Sequence, residues 1–191
     1  GEPDRVLAPG DHRLVNFTGR LRVDRLSLRD VRLVRDDLDV LVGSGLLDGL
    51  IEVIDLADHE RALVWVDGRF EAILAPGLHV LWTAVRKVRV ERVSVEAPRF
   101  QHAALERIVG AEVDGAWMLD AHHVPDGHLA LLFVDQRRVE AWGPGRYVTW
   151  DVPGRVIRIA LADLRETGVD IQGQELMTAD RVTLRINAVV T

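Results

Sequence analysis

The chain has 191 residues, no cysteine and a formal charge of −6, with acidic and basic residues interspersed along its length. Interspersion leaves no basic tail or stripe to track phosphates, which argues against nucleic acid as a partner. The lack of cysteine rules out a disulfide frame and a thiolate metal site and fits a reducing compartment.

Read from its start, the chain opens on a pattern that it uses again twice. Gly1–Leu14 (GEPDRVLAPGDHRL) matches Gly68–Leu81 (GRFEAILAPGLHVL) at an offset of 67. Ala62–Trp82 recurs without a gap as Ala130–Trp150 at an offset of 68. Three Pro-Gly pairs keep the beat: Pro9-Gly10, Pro76-Gly77 and Pro144-Gly145. A fixed period marks a repeat architecture, in which each unit buries surface against its neighbours instead of folding around an isolated site. The period predicts a truncated first repeat with its linker over 1–57, a second over 58–125 and a third over 126–191. Both ends fall inside the repeated pattern, so a fragment of a longer protein is expected.

Within each repeat the elements follow one plan. Arg20–Leu26 (RLRVDRL) and Lys87–Val93 (KVRVERV) alternate in step, which predicts half-buried antiparallel strands with Val88 and Val90 inward and Lys87, Arg89 and Glu91 in water. The third repeat keeps only Arg155-Val156 of this run. Val40–Ile54, the most apolar stretch, is too short for a membrane span and carries Asp48 and Glu52. Ala62–Val66 and Arg69–Leu74 read as two strands joined by an Asp67-Gly68 hairpin. Pro76-Gly77 fits the centre of a type II turn leading to a third strand from His79. Apolar spacing predicts a short helix within His102–Val113 after Pro98, matched by Leu38, Leu41 and Val42 in the first repeat.

Candidate sites are few. Asp120, His122, His123, Asp126 and His128 form the densest group of ligand-type side chains, of a kind that can hold zinc or nickel. The matching stretch Glu52–Glu60 has far fewer imidazoles, and the group reads equally as a polar turn around Pro125-Asp126-Gly127. No metal or cofactor is assigned. Gly43, Gly45 and Gly49 have the wrong spacing for a phosphate loop. Ser27, Ser44 and Ser94 lie outside any nucleophile elbow, and no carboxylate pair stands out, so no catalytic residue is assigned and the chain reads as no enzyme. Trp82 and Trp150 match across repeats, and Trp65 is answered by Phe133. Such aromatics are expected in the core or between modules, with a binding platform as the alternative. The basic faces (Arg20, Arg22, Lys87, Arg89) read as solvated, or as contacts for acidic lipid headgroups.

The tail supplies a resemblance. Pro144-Gly145, Asp163-Leu164-Arg165-Glu166, Gln174-Glu175, Thr178, Asp180 and the alternating Val182–Val190 together resemble the entry to a band-7 (SPFH, stomatin–prohibitin) domain. With its extra opening copies, the whole is similar to a bacterial slipin subgroup, and more distantly to the major vault protein; no hydrophobic hairpin of the stomatin kind is seen. The combined expectation is a mainly β chain: tandem antiparallel modules running into the start of a band-7/SPFH α+β domain. The resemblance implies a non-enzymatic scaffold forming rings or cages, peripheral on the inner, cytoplasmic face of a membrane. Its partners would be itself, membrane lipids and a membrane protease. A soluble vault-like shell and an edge-strand binding module are the alternatives.

Overall fold

The computed structural model describes residues 5–7, 10–16, 23–165 and 169–190. The chain is mainly β. In order it forms β1 (Arg32–Leu33), α1 (Leu38–Gly43), β2 (Ile51–Leu56), β3 (Glu60–Val66), β4 (Arg69–Leu74), β5 (Gly77–Trp82) and β6 (Val88–Ser94). There follow α2 (Leu105–Val109), a 3-10 turn at Ala116–Met118, β7 (Leu119–Val124), β8 (His128–Val134), β9 (Arg137–Trp142), β10 (Gly145–Trp150) and β11 (Ile157–Asp163). A hairpin of β12 (Val169–Met177) and β13 (Thr183–Val190) closes the order.

Two compact units divide these elements. One holds the residues up to Ala121 with Val148–Pro153; the other holds His122–Tyr147 and the residues from Gly154 onward. The first contains the sheets β1-β5-β2 and β4-β3-β6, and the second contains β11-β8-β9 and β12-β13. The chain passes from one unit to the other within β7 and within β10, which pair with each other.

The repeat is visible strand by strand. β2–β5 reappear as β7–β10 at an offset of 68, and β6 reappears as β11 at an offset of 69. Pairings recur with them: β2 with β5 and β7 with β10, and β3 and β8 each as the centre of three strands. Single hydrogen bonds also recur. Trp82 N–H donates to Val31 C=O at 2.8 Å and Trp150 N–H to Pro98 C=O at 2.9 Å. Val95 N–H reaches His59 C=O at 2.9 Å, as Leu164 N–H reaches Gly127 C=O at 2.8 Å. A β-bulge falls at Val64/Trp65 in one hairpin and at Leu132/Phe133 in the other, twisting both alike.

The turns show why these strands form. Asp67 and Gly68 both have positive φ (50° and 81°), the signature of a type I′ turn whose twist suits a two-residue hairpin. Asp67 also accepts a bond from Lys87 N–H through its side chain at 3.1 Å, and Asp135 does the same for Val156 N–H at 3.0 Å. In the second hairpin the glycine is replaced by Gln136, held at φ 67°. Pro76-Gly77 and Pro144-Gly145 are not the type II turns that their sequence predicts, and Pro9 lies outside the described residues. Gly77 and Gly145 take φ 119° and 147°, outside the type II range, because each stands at a corner where the chain leaves one sheet for another: β4 and β5 do not pair.

The first repeat is less regular than its alternation predicts. Arg20 and Arg22 lie outside the described residues, and Val23–Leu26 forms no strand. Alternation makes a strand only where a ladder partner exists, and this stretch has none among the described residues. The segments read as linkers, in turn, contain the strands β2 and β7. The predicted helices appear as α1 and α2, each burying one residue of the apolar stripe, Leu41 and Ile108.

The largest buried cluster lies in the first unit. One face of β4-β3-β6 contributes Leu63, Trp65 and Ile73, and the following segment covers it with Phe100, Ala104, Ile108 and Met118, joined by Val148 and Trp150 of β10. The opposite face packs Ala62, Val64 and Leu74 on Ile54, Leu56 and Leu81. A third cluster seats α1 on β5 through Leu33, Leu41, Leu47, Val80 and Trp82. In the second unit Val124, Ala130, Leu132 and Trp142 form the core.

His79 on β5 is buried and donates from Nε2 to the Ala75 carbonyl at 2.8 Å. Burial, aided by Arg32 and opposed by the Ala75 bond and Asp114, holds its imidazole below the usual 6.5. The folded protein therefore resists protonation there. Its contribution to stability is present above pH about 6.5 and is lost as pH falls below it. His79→Gln should flatten the fall in urea midpoint between pH about 7 and about 5. At the hairpins, Gln136→Gly should raise stability by about 1 kcal/mol, whereas Gly77→Ala should lower it by about 1–3 kcal/mol, both read by denaturant titration.

Candidate functional site

The polar group of the sequence lies on β7 and the turn after it. Strand alternation sends His122 to one face, where its ring lies 6.2 Å from that of Trp142, and His123 to the other, exposed face. Asp126 is in the turn into β8, and His128 contacts the Asp126 carbonyl through Nδ1 at 3.1 Å. Among the described residues no three His, Asp or Glu side chains converge to hold a metal ion. Gly43, Gly45 and Gly49 belong to the end of α1 and the run of turns before β2. The serines hold local backbone: Ser27 and Ser94 each accept from the N–H two residues on, at 3.3 and 3.2 Å, and Ser44 donates to the Leu41 carbonyl.

The aromatic positions carry more. Trp65, Trp82 and Trp150 are all buried, as expected of core aromatics. Trp65 is the centre of a layered contact. Arg89, its ladder partner on β6, lies with its guanidinium 4.9 Å from the indole centroid, and Arg107 of α2 lies 5.6 Å away. His102 stacks at 6.1 Å. His102 Nδ1 accepts from Ala104 N–H at 2.9 Å, so Nε2 carries the proton and donates to Glu91 at 3.1 Å. Arg89 in turn meets Glu91 at 3.2 Å. Arg89 and Glu91 therefore do not simply face water, as the alternation predicts: Arg89 caps the indole, and Glu91 holds the histidine stacked beside it. Lys87 is exposed, and Val88 and Val90 are half-buried against the opposite cluster.

The second hairpin has the same stack in reduced form. Phe133 stands where Trp65 stands, with its ladder partner Arg158 at 4.8 Å from the ring centroid. Opposite Leu131, at the position of Glu91, is Ala160. Phe133 is only half-buried.

Near β1, a crevice of about 210 Å³ has a floor of Val64, Leu74 and Leu81 and a rim that includes Arg29, Arg32, Arg86, Asp30 and Asp114. Arg32 pairs with Asp114 at 3.0 Å, both well exposed, an interaction worth at most about 1 kcal/mol. The rim holds both signs of charge. Of the residues carrying the band-7 resemblance, Asp163 ends β11 and grips Arg165 at 2.6 Å, which holds its carboxyl well below the usual range. Glu166 lies outside the described residues, and Val182 precedes β13.

No family model, curated protein or solved structure matches the chain. Among the described residues no helix is long and apolar enough to cross a membrane.

The stacks on Trp65 and Phe133 are aromatic packing arrangements. The match of Trp65 to Phe133 is visible in the sequence, but the arginine opposite each is not, because the offset changes from 68 to 69 between β10 and β11. The two positions should respond unequally to truncation: Trp65→Ala should cost about 3–5 kcal/mol, and Phe133→Ala less than half of that, measured by urea unfolding.

Proposed function

We propose that the chain is a non-enzymatic, self-assembling scaffold of the band-7/slipin type, whose copies form rings or cages that organise membrane lipids and proteins. The observation that carries this reading is the strand-for-strand recurrence of the three-stranded sheet. Each sheet ends on equivalent outer strands, β6 and β11 on one side and β4 and β9 on the other. Outer strands leave backbone N–H and C=O groups that must be covered, charged or paired with another chain. A regular series of them suits repeated contact between copies, and a heterologous contact closes into a ring when its rotation allows. Charges on these strands (Arg89 and Arg92 on β6, Arg137 and Arg138 on β9) favour partners of complementary sign over indiscriminate aggregation. Exposed Lys87 belongs to the basic face that would approach acidic lipid headgroups at a cytoplasmic membrane surface.

A binding module that captures one foreign strand is the second reading, favoured by the outer strands β6, β9 and β11, whereas β4 is already met by Asp114 through its bond from Ile73 N–H. Electron microscopy of the protein with and without acidic liposomes separates them. Rings or cages seated on liposomes are expected. Closed particles free in solution would favour a vault-like shell, and monomers at micromolar concentration would leave the strand-capture module and overturn the scaffold.

A further inference from the structure

Of the five tryptophans in the chain, Trp65, Trp82, Trp142 and Trp150 are buried, and Trp117 is 65% exposed. Trp117 stands two residues before β7, where Gly49 stands two residues before β2, so the repeated fold does not need a ring there. The turn that carries it is firmly held. Met118 is buried in the largest cluster, and Ile73 N–H donates to Asp114 C=O at 2.9 Å. Gly115, at φ 83°, lies so close to β4 that a Cβ would clash with the Ile73 carbonyl. An indole on a fixed support gives up little freedom when a partner buries it, and tryptophan is among the side chains most enriched as interface anchors.

Asp114 of the same turn also stands on the rim of the crevice near β1. At about 210 Å³ the crevice is smaller than the about 300–1,000 Å³ of small-molecule pockets and suits one large side chain. The second hairpin shows which. Val64, Ala72 and Leu74, which line the crevice, are answered by the larger Leu132, Glu140 and Trp142. Leu81 alone of the floor is larger than its counterpart, Thr149. In the second hairpin the ring of Trp142 fills that side of the sheet. It is 2% exposed, stacks on Tyr147 at 4.5 Å and donates from Nε1 to Glu140 at 2.6 Å. The first hairpin has leucine in its place and leaves the crevice.

We propose that Trp117 of one copy inserts its indole into this crevice of a second copy, supplying the ring that the first hairpin lacks. Knob and crevice both flank β4, so two copies related by a two-fold axis exchange them reciprocally. The surrounding charges suit the exchange. From Ile108 to Ala121 the chain carries Glu112, Asp114 and Asp120 and no lysine, arginine or histidine. The rim offers Arg29 and Arg86, both exposed and without a carboxylate partner among the described residues. Asp30 and Glu71 on the same rim are acceptors for the indole N–H, the part that Glu140 plays for Trp142. The inference rests on the self-association reading only for the premise that copies meet; the contact is a side chain in a crevice, not a strand edge.

Sedimentation of the whole chain across micromolar concentrations tests it. Trp117→Ala, at an exposed site, should weaken self-association by at least about thirtyfold, the loss expected of a tryptophan anchor. Leu74→Trp gives the first hairpin the residue of the second and should fill the crevice from within, with a comparable loss. Because that buried change can disturb the fold, Arg86→Glu on the exposed rim is a second reading of the crevice. It sets like charge against the acidic knob and should weaken association by at least about threefold. Association that survives Trp117→Ala, or that ignores both crevice variants, would overturn this docking and leave edge-to-edge assembly standing. Monomers throughout would overturn the docking and the scaffold together. Dimers that vanish with Trp117→Ala and build no larger particle would sustain the docking and remove the rings. A fluorescence blue shift that is lost in Trp117→Phe and follows added liposomes, not protein concentration, would assign the indole to lipid and overturn the proposal.

Discussion

Everything in this structure depends on how a three-stranded sheet of six- and seven-residue strands covers its two faces. So small a sheet is marginal by itself and needs a partner layer on each apolar side. For β4-β3-β6 one side is met by Ile54, Leu56 and Leu81 from the strands around it, and the other by Phe100, Ile108 and Met118 from the chain that follows. The second cover stands before β7 as Leu33, Leu41 and Leu50 stand before β2, so it leads into the next run of strands. Burial is thus shared across the repeat boundary, and the stability of one copy includes an interface term with the next. This is why Trp65 is 3% exposed while its counterpart Phe133 is half-buried in a hairpin of the same shape.

That requirement explains the corners. To place β5 in a different sheet from β4, the chain must turn without pairing the two strands, and the Pro-Gly pair does so with glycine at φ 119° or 147°. A type II turn would have closed a hairpin and kept β5 in the wrong layer. The hairpin turns are set by a different device: Asp67 and Asp135 each hold the start of the third strand through a side-chain bond. With that bond in place, the second turn position tolerates Gln136 where the first has glycine.

Much of the fold was legible because its signals are local. Ala62–Val66 and Arg69–Leu74 alternate and flank Asp-Gly, and they form the hairpin as read. Helix α2 falls within the stretch chosen from the spacing of Leu105, Ile108 and Val109. What was hidden depends on partners. β2 and β7 look like polar linkers because Glu52, Asp55, Asp120 and His123 interrupt their apolar residues on both faces; pairing with β5 and β10 makes them strands. The reverse holds for Val23–Leu26, which alternates but has no described partner. β11 escaped a comparison at a fixed offset of 68 because the loop before it is one residue longer. A slip of one residue exchanges inward and outward positions throughout a strand. The histidine group, to which no metal was assigned, is divided by the same alternation: His122 and His123 point to opposite faces of β7.

Comparing the copies position by position separates what the fold needs from what the contact needs. Ladder bonds, bulges, corners and the arginine facing the aromatic ring recur, although nothing in a single hairpin requires that arginine. It recurs because a guanidinium on the ring shields the exposed flank of an aromatic while its other flank stays available for packing, a contact worth about 0.5–1 kcal/mol at a partly exposed site. The differences fall on the side of the cover: Glu91 against Ala160, Ile73 against Ala141, Phe70 against Arg138. In the first copy the charged and bulky members are matched by His102 and Phe100 from the same chain, a cover of fixed composition. The second face is flatter and less charged across its centre, with arginine at its margin. It could not have accepted a ring such as that of His102 on the same terms, because the carboxylate that orients that ring is missing.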